Sequence, residues 1–225
     1  MTRTIINNTS QKGCVMKNPV IIYSHRRTDG SAIFHSCKRQ NKIYEPFAPR
    51  YDDNFASVFR KYWLLHRLNN GNTVIKLHGH HLCRFPQSIA WYKKVMKTTR
   101  HEIFVVEKDM VQAGLSFLLA KQFGFRISTE IQLFNFTAPV EHIEQWNEFM
   151  RRYVQFFPTR GTIITHDNMP EEFFDRRLNT VVGVQQTSEQ HQYIRNLEWA
   201  TGQLHRIKEK YTAELTIKRK VLTIL

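Results

Sequence analysis

The sequence predicts an α/β fold built on a parallel sheet. Three observations lead there. Four short apolar runs, Val20–Tyr23, Thr73–Leu77, Glu102–Val106 and Gly161–Thr165, carry the β-branched residues of buried strands. Segments with helical spacing of apolar residues separate them. Each run stops at polar or charged residues, so the ends of the strands collect the chemistry.

In chain order, residues 1–18 are polar, with Asn7, Asn8, Thr9 and Ser10 and little periodicity. They read as an N-terminal leader before a single domain spanning 19–225. The first strand feeds a basic loop, Ser24 to Gly30, and Ser31 opens a helix expected to run to about Gln40. Ser31 or Asp29 is expected to supply the capping oxygen. Strand, basic loop and helix N-terminus together describe an anion site. The loop lacks the Gly-Lys-Ser/Thr ending of a Walker A motif. Lys42–Phe47 reads as an extended piece stopped by Pro46 and Pro49. Asp52 or Asp53 caps a helix through Leu68, and Asn69–Asn72 is its turn.

The second strand runs into Lys76, Leu77, His78, Gly79, His80 and His81, and a helix follows over 86–98. The third strand stops at Glu107–Asp109, before a strongly periodic helix from Met110 to Phe123. Residues 129–137 alternate for part of their length, as an extended excursion would. Val140–Phe157 is amphipathic. The fourth strand leads to His166, Asp167 and Asn168, with a helical turn over Pro170–Phe174. A charged helix is expected from Ser188 to about Thr216. Ligands of such sheets sit beyond the carboxyl ends of the strands. His25–Thr28, Lys76–His78, Lys108–Asp109 and His166–Asp167 are therefore expected to converge.

The 225 residues are 41% hydrophobic, enough for one sizeable core, and carry a net charge of +14 from 33 Lys+Arg against 19 Asp+Glu. The excess is spread along the chain and predicts a polyanionic partner: nucleic acid, anionic lipid, acidic glycan or a phosphorylated cofactor. Three cysteines without a CxxC pair give no disulfide framework or zinc finger and suit a reducing compartment. No apolar leader or membrane-length run is seen, so a soluble, cytoplasmic protein is expected. His78, His80, His81 and Cys83 have metal-ligand chemistry, but no second cluster at zinc spacing accompanies them, and no metal is expected.

Three segments, in order, resemble the sulfotransferase family, the P-loop-related enzymes that use 3′-phosphoadenosine 5′-phosphosulfate. Val20–Phe34 resembles the family's 5′-phosphosulfate loop. Val74–His78 resembles the strand that ends Lys-Thr-His in cytosolic members. Ile103–Lys108 with Ser116 resembles the 3′-phosphate element, with Lys108 where arginine is usual. Tyr44–Phe47 is similar to the aromatic-Glu-Pro segment of carbohydrate-type members. Coverage is about residues 19–175. The resemblance implies a three-layer P-loop-like fold, a mostly parallel central sheet flanked by helices, and transfer of a sulfuryl group to a hydroxyl or amine of a glycan, lipid or small metabolite. Two departures stand out. Asp29 sits in the loop where a carboxylate would repel the donor, and Lys218–Lys220 is only a charge run where cytosolic members carry a basic lid.

By that resemblance and by the chemistry of in-line transfer, Arg27 faces the leaving-group oxygens. Arg26, Thr28, Asp29, Gly30 and Ser31 complete the 5′ loop, and Lys108 and Ser116 hold the 3′-phosphate. His78 is the first candidate for the base that takes the acceptor proton, with Lys76 expected on the opposite side of the strand; Glu45 is the competing base. Two other classes remain open. A nucleic-acid-binding protein fits the charge and interspersed aromatics but shows no recognisable binding motif. A P-loop-like nucleotide phosphotransferase would need the absent Walker lysine and an acidic magnesium-binding strand end, whereas sulfuryl transfer needs no obligatory metal.

Overall fold

The computed structural model describes residues 18–48, 72–83, 85–98, 100–123, 136–165, 167–177 and 193–224. Among the described residues, six strands form one sheet: β1 (Val20–Ser24), β2 (Asn41–Tyr44), β3 (Thr73–His78), β4 (Glu102–Val106), β5 (Thr162–Ile164) and β6 (Thr223–Ile224). Their order is β2-β3-β1-β4-β5-β6, and every neighbouring pair is parallel. The helices are α1 (Gly30–Ser36), α2 (Gly79–Leu82), α3 (Pro86–Lys97), α4 (Met110–Phe123), α5 (Val140–Gln155) and α6 (Leu197–Arg219). The protein is thus an α/β three-layer fold.

The central strands are apolar on both faces, as parallel strands covered on both sides must be. Ile21, Tyr23, Ile75, Leu77, Ile103 and Val105 pack with Trp91, Leu118, Trp146, Tyr153 and Leu204 from the thicker helical layer. Val20, Ile22, Val74, Phe104 and Val106 pack with Ile33 and Phe34 of α1 and with Phe174 on the other face. From β1 the chain moves to the β2–β3 side, and from β4 to the β5–β6 side. The carboxyl ends of β1 and β4 therefore border the crevice where the strand order reverses, the usual ligand position in open parallel sheets.

The boundaries differ from expectation where tertiary contacts decide them. Helix α1 stops at Ser36 rather than near Gln40, because Cys37 bridges to Phe174, the Lys38 amide donates to the Phe173 carbonyl and the Asp175 amide to that of Ser36. Helix α6 begins at Leu197. The two-residue β6 is too short to leave a periodic signature; it is held by the Thr223 amide donating to the Gly161 carbonyl. The expected leader over 1–18 (all but Asn18), the helix through Leu68, most of the 129–137 excursion, His166 and the expected helix start at Ser188 lie outside the described residues. Among those described, no helix is long and apolar enough to cross a membrane.

Candidate functional site

The β1–α1 loop is shaped by its own polar atoms. Thr28 Oγ1 donates to the His25 carbonyl at 3.0 Å, and His25 Nδ1 to the Arg26 carbonyl at 2.9 Å. His25 is a core histidine, edge-on to Trp146 and Tyr153, and burial pushes its imidazole down to about 4. Gly30 is required by space: a Cβ there would lie 2.7 Å from Ser24 Oγ. Neither Ser31 nor Asp29 caps α1, contrary to expectation; Asp29 occupies the cap position at φ 60 with no side-chain cap bond. The helix has only seven residues, so the side-chain cations, more than its dipole, define the local field.

Those cations are drawn together across the crevice. Arg27 Nε donates to Ser116 Oγ on α4 at 2.9 Å, and Lys108 Nζ lies 3.2 Å from Asp29 Oδ2. The two residues expected to share a 3′-phosphate, Lys108 and Ser116, are thus each joined to the β1–α1 loop. Burial lowers the Arg27 guanidinium, and the Asp29 charge opposes that shift. Asp109, beyond the strand end, caps α4 through the Val111 and Gln112 amides at 2.9 and 3.0 Å and pairs with Lys208.

A second centre lies at the end of β3. Lys76 Nζ and His78 Nε2 each lie 2.8 Å from Glu45 Oε1. Lys76 therefore shares a strand face with His78 instead of pointing away from it: residues two apart on a strand project to the same side. Lys76, 3% exposed, also donates to Ser31 Oγ at 2.7 Å and to the Tyr44 hydroxyl at 3.2 Å. His78 Nδ1 is 2.8 Å from the Ser24 carbonyl and 3.3 Å from the Ser24 hydroxyl, so both ring nitrogens have polar partners. Burial lowers the His78 imidazole, while the Glu45 hydrogen bond opposes that shift. Burial alone would raise the Glu45 carboxyl, but His78 and Lys76 hold it well below the usual carboxylate range. The two candidate bases form one coupled unit.

Arg26 is gripped differently. Its Nε donates to His80 Nε2 at 3.0 Å, and its guanidinium lies 4.6 Å from the Phe149 ring centre. His81, beside His80, is buried with both ring nitrogens unpartnered, and burial pushes its imidazole down to about 3. Among the described residues, no group of three or more His, Cys, Asp or Glu side chains is placed to hold a metal ion. The sequence offers no site role for Tyr44 or Phe149, and for His80 only the metal-ligand chemistry it shares with His78, His81 and Cys83. Tyr44 was legible only as the aromatic beside Glu45, and Phe149 as one apolar position of an amphipathic helix.

Backbone strain gathers in the same place. Among the described residues, the non-glycine positions with positive φ are Arg27 at 63°, Asp29 at 60° and Glu45 at 43°. All three belong to this network, and such conformations persist where surrounding contacts over-determine them. In comparisons with known proteins, no family model, curated protein or solved structure matches the chain.

Proposed function

We propose that the protein is a sulfotransferase that binds 3′-phosphoadenosine 5′-phosphosulfate in the β1–β4 crevice and sulfates a hydroxyl or amine of a glycan, lipid or small metabolite. The observation that carries this reading is the joining of Arg27 to Ser116 and Asp29 to Lys108 across the crevice, with the Lys76–Glu45–His78 unit bonded through Ser31 to the first turn of α1, which follows the β1–α1 loop. The donor set fits a bisphosphorylated nucleotide: Arg26, Arg27, Lys76 and Lys108 against the carboxylates of Asp29 and Glu45, with the hydroxyls of Ser31 and Ser116 among them. The bound donor supplies an activated sulfuryl group on a phosphate leaving group. Lys108 and Ser116 hold the 3′-phosphate corner; Arg27, bonded to Ser116 Oγ, joins them there instead of facing the leaving-group oxygens as the resemblance implies, and Ser31 with Lys76 holds the 5′ side. Thr28 contributes its backbone, because its hydroxyl is committed to the His25 carbonyl. The Glu45–His78 pair receives the acceptor proton, with Lys76 balancing its charge.

Calorimetric titration with adenosine 3′,5′-bisphosphate tests the proposal, with ATP and 5′-AMP as controls. Binding that requires the 3′-phosphate is the expected result. Equal binding of 5′-AMP, or magnesium-dependent preference for ATP, overturns it in favour of a phosphotransferase. Salt-sensitive DNA binding without nucleotide binding would favour the nucleic-acid reading instead.

A further inference from the structure

The cationic corner of the crevice already holds an anion from the chain itself. Asp29 Oδ2 sits 3.2 Å from Lys108 Nζ, and its charge also supports the Arg27 guanidinium. Asp29 reaches this position from a left-handed backbone at φ 60, and it makes no cap bond to α1. The pair is open to water, with side-chain exposures of 33% and 37%. Exposed pairs of this kind are weak and exchange readily. Glu45 differs: its carboxylate is 16% exposed and shared between Lys76 and His78. Of the two carboxylates, Asp29 is the displaceable one.

We infer that Asp29 is a charge filter for the Lys108–Arg27–Ser116 corner, admitting a doubly charged phosphate monoester and rejecting singly charged groups. A singly charged group that displaces the Asp29 carboxylate gives Lys108 nothing it lacked, and it meets the repulsion of a carboxylate still tethered beside it. A dianion has a second charge to share between Lys108 and Arg27, which the carboxylate cannot match. The strained left-handed position keeps the carboxylate at the corner, so the filter is part of the loop's shape. The inference rests on the proposed donor site only for the identity of the dianion, which there is the nucleotide's 3′-phosphate.

Phenyl phosphate and phenyl sulfate are suitable probes, being close in shape and differing by one charge at pH 8. Titrations followed by NMR on the full chain compare wild type with Asp29→Asn and Asp29→Gly, both of which tolerate the left-handed backbone. Wild type is expected to prefer the phosphate by about tenfold. Both variants are expected to narrow that ratio to about twofold, chiefly by gaining affinity for the sulfate. Lys108→Ala is expected to weaken both probes. An unchanged ratio in both Asp29 variants overturns the filter, as does probe binding insensitive to Lys108→Ala or no detectable binding of either probe. Adenosine 3′,5′-bisphosphate is titrated in parallel. If it binds while the ratio stays fixed, the donor site stands and the filter falls; if it fails to bind while the ratio shifts as expected, the filter stands without that donor.

Discussion

Removing the Glu45 carboxylate tests the most buried charge cluster in the site. In Glu45→Ala, Lys76, at 3% exposure, and His78, at 7%, lose the oxygen that both contact at 2.8 Å. Breaking one side of a buried ion pair costs about 3–5 kcal/mol, because the remaining charge is left desolvated. Lys76 keeps Ser31 Oγ and the Tyr44 hydroxyl, so the lower end of that range, about 3 kcal/mol, is expected. That is a large part of the ~5–15 kcal/mol that holds a typical domain together. Urea unfolding at pH 7 reads it as a drop in midpoint at unchanged slope. The pH dependence follows from the sign of the shift. The Glu45 carboxyl is depressed in the folded state, so its contribution is complete above the unfolded value of about 4.3 and is lost as pH falls below it toward the folded value. The gap between wild type and variant should therefore be full at pH 7 and shrink below about pH 4. Adding Lys76→Met to Glu45→Ala should recover stability, since an apolar side chain there carries no stranded charge. A loss under about 1 kcal/mol at pH 7, or a gap that grows on acidification, would refute the reasoning.

Three further outcomes are expected. Lys108→Ala should weaken adenosine 3′,5′-bisphosphate binding by about tenfold in calorimetry, and unchanged affinity would remove Lys108 from the site. His78→Ala should lower turnover by about 10²-fold or more with a much smaller change in nucleotide affinity; unaltered turnover would move the proton-accepting role to Glu45. Gly79→Ala places a Cβ 2.5 Å from the Tyr23 hydroxyl and 2.7 Å from the Arg152 carbonyl, between β1 and α5. It should cost about 1–3 kcal/mol, visible as a lower melting temperature, and a neutral result would show that α5 can shift away.

Much of this architecture was legible because parallel strands buried on both faces write themselves as apolar runs. Val20–Tyr23 and Ile103–Val106 are of that kind, and Val140–Gln155 carries helical spacing long enough to be unambiguous; Met110–Phe123, expected as strongly periodic, is instead buried nearly all round, and its length is what marks it as a helix. What escaped was local structure set by distant partners. Nothing in the sequence around Ser36 announces that Cys37 will pair with Phe174, and a two-residue strand such as β6 has no period to detect. The charged site residues were legible as strand ends, but their pairing was not. That Arg27 would meet Ser116 and Lys108 would meet Asp29 depends on β1 and β4 being neighbours, a fact of topology rather than of either segment. Lys76 and His78 show the reverse: a spacing of two already puts them on one face of the strand, which the expectation of opposite sides overlooked, and Glu45 reaches them both.

The two carboxylates of the crevice explain why so many cations are tolerated there. Asp29 offsets Lys108 and Arg27, and Glu45 offsets Lys76 and Arg26. Each carboxylate comes from a residue at positive φ, and Arg27 shares that strain. Replacing Asp29 or Glu45 with glycine would relieve backbone strain but leave a lysine without its ion-pair partner, so strain relief and charge balance pull in opposite directions. Asp29, partly in water, is where relief should win; Glu45, shared by buried Lys76 and His78, is where charge should win. Asp29→Gly should therefore leave the unfolding midpoint unchanged or raise it slightly, while Glu45→Gly should lower it. The opposite order would mean that strain, more than charge, sets the shape of the crevice.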